Sequence, residues 1–229
     1  IAPAQTYTIE VYFDEEGTYA MKNINPSNEY LLGTVKVNGV SDDDYSSEFF
    51  SLRENKYVKE DIDNFRQYFD KEIDSQITLS VKSSMNLQMS GEDEDEDIIE
   101  WEDTMAMMNQ MSTNDNLEWI LRDKGTGKEN MDIEYRYKVG DKVKLRIYND
   151  PDSAHPMQHP IHFHGQRFLV LEKDGVKNEN LVWKDTVLVP IGSYVDILVD
   201  VTNPGEWMAH CHIAEHLESG MVMTFDVEA

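Results

Sequence analysis

The 229-residue chain has few cysteines and few basic residues, and each shortage excludes a class of protein. Its single cysteine, Cys211, excludes an intrachain disulfide. Only 20 lysines and arginines stand against 45 aspartates and glutamates, and the formal net charge is −25. Such a chain repels phosphate backbones and anionic membrane surfaces, so nucleic acid is not expected as a partner.

Long apolar runs are also lacking. No stretch of the sequence approaches the roughly 20 apolar residues of a membrane-spanning helix, so we expect no membrane span. The first residues have no charged segment followed by an apolar one, as a signal peptide would. The chain opens with Ile1 and enters a strand pattern at once, so we interpret it as part of a longer or processed protein.

Short segments with the two-residue alternation of β-strands make up much of the chain. They cover residues 6–13, 30–37, 143–147, 195–201 and 221–227. Turns rich in glycine, proline, aspartate and asparagine separate many of them. Many short strands at such spacing favour an all-β sandwich or barrel.

A different periodicity follows residue 41. Apolar residues recur there at spacings of three and four, which is typical of an amphipathic helix: Val58, Ile62, Phe65, Phe69 and Ile73. We interpret residues 41–75 as a linker whose helix packs across a neighbouring domain. Residues 1–40 would then be the trailing part of a preceding β-domain, and residues 76–229 a carboxy-terminal domain.

Six of the seven histidines fall into two clusters around the one cysteine. The first cluster is His159-Pro160-Ile161-His162-Phe163-His164, and the second is His210-Cys211-His212, followed by His216 and Met221. A thiolate, two imidazoles and a distant thioether are the ligands of a blue copper centre. Cys211, His216 and Met221 would supply three of them. His159 is the natural source of the second imidazole, because Pro160 separates it from the rest of its cluster.

The four remaining histidines of the clusters point to a second metal site. His210 and His212 flank Cys211, so on a strand they lie on the face opposite its sulfur. His162 and His164 share one face in the same way. Four imidazoles from two strands suit a copper cluster that is open to a small ligand. An electron at the first copper would have a short bonded route to this cluster.

The segment from about Trp101 to the end resembles the carboxy-terminal cupredoxin domain of multicopper oxidases, the laccase and copper-resistance oxidase family. The stretches HPMQHPIHFHGQRF, VWKDTVLVP and NPGEWMAHCHIAEHLESGM carry the resemblance. It implies an all-β fold, with a cupredoxin-like Greek-key β-sandwich at 76–229 after the helical linker. Residues 1–40 would be the end of a preceding cupredoxin domain. A periplasmic or extracellular location is implied as well.

The resemblance also implies a function and a ligand set. The type 1 copper would be bound by His159, Cys211, His216 and Met221, the type 2 copper by His162, and the type 3 pair by His164, His210 and His212. A small reducing substrate, such as a phenol or Cu(I), would reduce the type 1 copper. Electrons would then pass through Cys211 to the trinuclear cluster, which reduces dioxygen to water.

The sequence departs from this family in two places. The trinuclear cluster of the family takes eight histidines, four of them from an amino-terminal domain, and four are available here. The spare His155 has no partner at i+2, and we interpret it as a loop residue or a neighbour of the ligands. We therefore expect this chain alone to be inactive without an amino-terminal cupredoxin domain. Leu217 occupies the place of a proton-relaying glutamate in some bacterial members.

Other interpretations stay open. A non-catalytic blue-copper electron-transfer or copper-binding module would need only the first site. A copper nitrite reductase-like protein normally has a longer loop between its copper cysteine and histidine, and does not need His212. A structural zinc site is disfavoured by the embedded cysteine and the paired histidines. Asp185 either bonds a ligand histidine or fixes a strand end, and Phe163 and Trp207 are expected to pack in the core.

One segment has an unusual composition. Residues 83–121 contain no lysine or arginine, but include an acidic run at 92–97. They also hold half of the chain's methionines: Met85, Met89, Met105, Met107, Met108 and Met111. Thioethers favour Cu(I), so the last four predict a cuprous-ion entry or oxidation site. The more frequent role of such methionines is to fill a buried strand or an adaptable core.

Overall fold

The computed structural model describes residues 1–24, 28–39, 45–51, 53–83 and 117–229. Its contacts divide the chain into two compact units. One unit is Tyr7–Lys56, and the other is Tyr57–Ala229 together with Ile1–Thr6. The acidic run and the methionines of the predicted Cu(I) site lie outside the described residues. The domain boundaries at residues 40 and 75 stay predictions.

The smaller unit contains one β-hairpin and a short helix. Strand β1 (Gly17–Ile24) pairs antiparallel with β2 (Glu29–Val37), and α1 is Ser46–Phe49. The strand predicted at 30–37 is therefore confirmed. The strand predicted at 6–13 is wrong: these residues form no strand, and Tyr7 and Ile9 are 56% and 73% exposed. Alternation is not enough to form a strand, because the backbone groups also need a partner strand.

Within the described residues, the larger unit contains the remaining strands and two short helices. In chain order the strands are β3 (Ser75–Ser83), β4 (Leu117–Asp123), β5 (Tyr135–Lys138), β6 (Lys142–Asn149), β7 (His159–Phe163), β8 (Arg167–Lys173), β9 (Val176–Lys177), β10 (Trp183–Lys184), β11 (Thr186–Val189), β12 (Tyr194–Asp200), β13 (Gly205–Cys211) and β14 (Val222–Glu228). The helices are α2 (Lys56–Asp63) and α3 (Ala214–Glu218), and single 3-10 turns cover Arg66–Tyr68 and Asn130–Asp132. In these described ranges, no helix is both long and apolar enough to cross a bilayer.

Two sheets form a sandwich, as the sequence predicts. The larger sheet has the order β10-β8-β12-β6-β3-β4, with β9 added beside β8, and the smaller sheet has the order β11-β7-β13-β14-β5. The core between them takes the alternating apolar residues of both sheets. From β6 these are Val143, Leu145 and Ile147, and from β14 they are Met223, Phe225 and Val227. The all-β cupredoxin-like fold is therefore confirmed.

Helix α2 covers the outer face of the larger sheet. Its Ile62, and Phe65 just beyond it, pack against Leu169, Leu171 and Leu198. The predicted amphipathic helix is thus confirmed, although it ends at Asp63. As a result, β12 is buried on both faces and not on the single face that its alternation indicates.

Ion pairs allow two charged residues of β12 to be buried. Asp196 and Asp200 are both 3% exposed. Arg146 Nε lies 2.7 Å from Asp196 Oδ1, and Lys142 Nζ lies 2.8 Å from Asp200 Oδ1. Buried carboxylates are tolerated in proteins when they are paired and hydrogen-bonded in this way.

Asp61 connects α2 to the larger sheet. Replacing it tests how much this connection stabilises the chain. Its Oδ2 accepts hydrogen bonds from Arg167 (2.8 Å) and from Trp183 Nε1 (2.9 Å). We expect Asp61→Ala to lower the free energy of unfolding by about 1.5–3 kcal/mol, the usual range for hydrogen bonds to a charged group. Asp63→Ala on the same helix is the control, because its pair with Arg66 is exposed. Equal effects in urea unfolding would contradict this role.

Candidate metal centre

The two histidine clusters lie on neighbouring strands. Strands β7 and β13 pair antiparallel in the smaller sheet, with His210 opposite His162 and Cys211 opposite Ile161. Successive side chains of a strand point to opposite faces. The pairing therefore places Cys211 on the core side and the His-x-His residues on the other side.

The predicted type 1 residues converge in the core. His159 Nδ1 and His216 Nδ1 are 3.2 Å apart, and Cys211 Sγ lies 3.7 Å and 3.5 Å from them. All three residues are at most 2% exposed. Helix α3 turns the chain back after β13 and thereby brings His216 to the cysteine. The sequence prediction that these three side chains meet agrees with this geometry.

Met221 is held close to the group through the backbone. Its N–H donates to His216 O (2.9 Å), and its carbonyl accepts from the N–H of Cys211 (3.1 Å). The side chain is fully buried in the same core as the cysteine. Its thioether therefore belongs to the same buried core as the other three donors.

Burial keeps both imidazoles of the group neutral. Burial, with a smaller effect from neighbouring histidine charges, lowers the pKa of His159 to about 3 and the pKa of His216 to about 2. Metal ligation requires the neutral imidazole. At neutral pH both rings are therefore uncharged, in the form that binds a metal.

These donors fit copper. In the described part of the chain, one group of three His, Cys, Asp or Glu residues has its ligand atoms within 4.8 Å of one another, namely His159, Cys211 and His216. A closed structural zinc site takes four such ligands. Two imidazoles and a thiolate in a plane, with a weak thioether, are instead the donors of a blue copper centre.

The other four histidines gather on the opposite face of the sheet. His164 Nε2 and His210 Nε2 are 2.9 Å apart. Ring centroids are 4.7 Å apart for His162 and His164, 5.7 Å for His162 and His212, and 5.5 Å for His210 and His212. The structure thus brings the predicted type 2 and type 3 residues together. They range from buried His210 to exposed His212.

Hydrogen bonds select the ring nitrogen that faces this second group. His162 Nδ1 lies 3.0 Å from the carbonyl oxygen of Asp185, which can only accept, so Nδ1 carries the proton. Thr186 Oγ1 is 2.9 Å from the same nitrogen and donates to the Asp185 carboxylate. His210 Nδ1 likewise donates to Cys211 O (2.7 Å). Both rings therefore keep Nε2 available for a metal.

Burial is also the main influence on the charge of these rings. It lowers the pKa of His162 and of His210, against the raising effects of the Asp185 charge and of the carbonyl of Cys211 respectively. Asp185 therefore contacts a candidate ligand chiefly through its backbone, with its carboxylate 3.9 Å away. Of the two roles considered for Asp185, the structure shows the contact with a histidine.

One residue beside the predicted type 1 ligands, Trp119, could not be identified from the sequence pattern. Trp119 of β4 stacks on His216, with centroids 3.7 Å apart and planes at 19°. His155 is a buried loop residue, 6.0 Å from the same indole. The inward alternation of Leu117, Trp119 and Leu121 could have placed the indole in the core, but not against a particular histidine.

The two aromatic residues expected in the core do pack there. Phe163 is 3% exposed, and Trp207 packs partly buried against the same cluster. Trp207 also lies directly against Gly165, the residue after the first histidine cluster.

The sandwich and its buried cysteine–histidine group define a cupredoxin-like protein with a candidate metal centre. A family model described as multicopper oxidase matches residues 83–229. This chain therefore belongs to the multicopper oxidase family, whose members are copper-dependent oxidoreductases that use dioxygen and a reducing substrate.

Individual relatives agree with this membership. "Multicopper oxidase mco" of Staphylococcus aureus is 30% identical in an alignment that covers 91% of this chain and 48% of that protein. "Laccase" of Neurospora crassa is 32% identical in an alignment that covers 34% of this chain and 16% of that protein. The chain thus spans about half or less of these relatives.

A solved structure supports the fold. The multicopper oxidase from Campylobacter jejuni, whose title calls it a metallo-oxidase, aligns with a TM-score of 0.54 at 18% identity. The alignment covers 94% of this chain and 42% of that one. At this identity the likeness concerns the fold alone.

Proposed function

We propose that this chain is the electron-entry part of a multicopper oxidase that works in the periplasm or outside the cell. The observation that supports it most is the buried convergence of His159, Cys211 and His216, with the buried Met221 hydrogen-bonded through its backbone to two of them. Copper bound there would accept single electrons from a reducing substrate, such as a phenol or Cu(I). The two neutral imidazoles and the Cys211 thiolate would hold and orient that ion, and the buried core around them would keep water away from it.

The second part of the proposal concerns the histidines on the other face. His162 would serve the type 2 copper, and His164, His210 and His212 the type 3 pair. Cys211 is covalently joined to His210 and His212, and its carbonyl accepts a hydrogen bond from His210 Nδ1. The backbone therefore connects the two ligand groups over a few bonds, which suits electron transfer between them.

Four histidines are half of what the resemblance requires for a trinuclear cluster. The remaining four would come from an amino-terminal cupredoxin domain. The span of this chain, 48% of the Staphylococcus aureus relative, leaves room for such a domain in the whole protein. This chain by itself would then hold the first site and half of the second, without reducing dioxygen.

Copper content and dioxygen uptake test both parts. We expect the copper-loaded chain to hold about one tightly bound copper with an intense visible band, and to consume no dioxygen with a phenol or Cu(I). Supplying the amino-terminal region of the parent protein should raise the copper content to four and start dioxygen uptake. Four coppers and uptake by this chain alone would contradict the shared cluster.

A variant separates the two sites. His212→Ala removes a proposed type 3 ligand that is exposed on the outer face. It should leave the visible band of the chain intact and abolish dioxygen uptake in the complemented protein. If the complemented wild type binds copper but takes up no dioxygen, the non-catalytic electron-transfer module becomes the better account.

The nitrite reductase-like alternative has less support. The loop from Cys211 to His216 is short and leads directly into α3, whereas that class normally has a longer loop. Nitrite reduction by the copper-loaded chain would nevertheless favour it, and this assay can use the same sample.

A further inference from the structure

Trp119 forms one wall of the proposed type 1 site. Its indole is 4% exposed and lies parallel to the His216 ring at a centroid distance of 3.7 Å. Its edge contact with His159 has a centroid distance of 5.3 Å and an interplanar angle of 71°. One indole therefore touches both imidazoles whose Nδ1 atoms face Cys211.

Several hydrogen bonds hold the backbone that carries the indole, beginning with the backbone N–H of Trp119. The N–H of Trp119 donates to Ser219 O (3.0 Å), which lies in the turn that connects His216 to Met221. The Asn130 amide donates to Trp119 O (3.1 Å) and accepts from the N–H of Leu121 (2.7 Å). Strand β4 is also paired with β3 along its length. The indole is thus attached to a rigid strand and to the loop of the ligands at once.

The His216 ring needs such a restraint. It sits on α3, a helix of five residues that has no side-chain N-cap and begins just after β13. A short helix gains little stability by itself. A stacked aromatic plane, in contrast, restricts rotation of the imidazole about its last side-chain bond, because rotation would push the ring into the indole.

We propose that Trp119 is a positioning residue of the type 1 site. The indole fixes the plane of the His216 imidazole and excludes water from its face, so that Nδ1 stays directed at the cysteine sulfur. This inference rests on the proposed function, in which that group binds copper. The apolar surroundings of a metal site control its access to solvent and its redox potential, so the indole affects both.

Substitution of the indole tests the proposal. We expect Trp119→Leu to lower the copper affinity of the chain by roughly 10- to 100-fold, as loss of a residue that supports a ligand usually does. Its visible band and reduction potential should shift as well. Trp119→Phe keeps an aromatic plane and should stay within about threefold of the wild type. Trp119→Met fills much of the same volume but has no aromatic plane, so it replaces Trp119→Leu in this test if that variant does not fold.

Trp183→Leu is the control for loss of a tryptophan that packs away from the ligands; Trp183 is partly buried. Trp183 packs against Phe65 and Arg167 beside α2, on the outer face of the larger sheet. Its replacement should lower the stability of the chain and leave the copper affinity and the visible band unchanged. If Trp119→Leu and Trp119→Met have the copper affinity and the visible band of the wild type, the proposal is overturned.

A measurement without copper keeps this proposal separate from the proposed function. In the metal-free chain, the ring protons of His216 lie against the indole face and should show an upfield ring-current shift by NMR. The shift should vanish in Trp119→Leu and Trp119→Met, and its absence in the wild type would refute the stacking. If the wild type binds copper without a blue band, the proposed function fails, while the copper affinities of the variants still decide the role of Trp119.

Discussion

Cys211→Ser should remove the entire intense visible band of the copper-loaded chain. That band requires charge transfer from a thiolate to copper, and a hydroxyl cannot supply it. The sulfur is fully buried, 3.5–3.7 Å from two imidazole nitrogens. Serine is close to cysteine in size, so the fold should survive. We expect a loss of about 1–3 kcal/mol in the free energy of unfolding of the metal-free protein, the cost of burying a hydroxyl.

Visible absorption and urea unfolding of the same samples check both expectations. His212→Ala is the control, because that ring lies next to the cysteine in sequence but on the opposite face of the sheet. It should keep the band. A blue colour that survives Cys211→Ser would mean that the assigned ligands are wrong.

The sequence was sufficient for most of the architecture. The alternation in β6 and β14 identifies the strands and their buried faces, because each has one face on the core. It misleads for β12, where α2 packs on Leu198 of the second face, and where Asp196 and Asp200 are buried as members of ion pairs. It also misleads at 6–13, since a pattern of side chains does not reveal whether a partner strand is present.

The candidate site was predictable for a similar reason. Alternate side chains of a strand lie on opposite faces, so the His-Cys-His sequence by itself separates two ligand groups. The pairing of His210 with His162 then brings the two clusters into register. Trp119 could not be foreseen, because β4 reaches the site through contacts between the sheets that no local pattern encodes.

Gly165→Ala, in the turn after the first histidine cluster, should also have a large effect, on the free energy of unfolding. Gly165 has φ of +67°, a conformation that residues with a Cβ rarely adopt. A Cβ at this position would overlap the six-membered ring of Trp207. The Asn203 amide donates to the carbonyl of Gly165, and Gln166 Nε2 donates to Asn203 O (2.9 Å), so the turn cannot easily move aside.

We therefore expect Gly165→Ala to lower the free energy of unfolding by about 2–5 kcal/mol, the combined cost of backbone strain and overpacking. Gly127→Ala is the matched control. It has φ of +73° but nothing within 4 Å of its Cβ position, so only the strain of about 1–3 kcal/mol applies. Urea unfolding of both variants isolates the overlap with Trp207. Because Gly165 directly follows His164, the displaced turn should also weaken metal binding on the outer face. Equal losses of unfolding free energy in the two variants would mean that Trp207 yields to the added Cβ, and unchanged metal binding by Gly165→Ala would mean that the turn does not hold His164 in place.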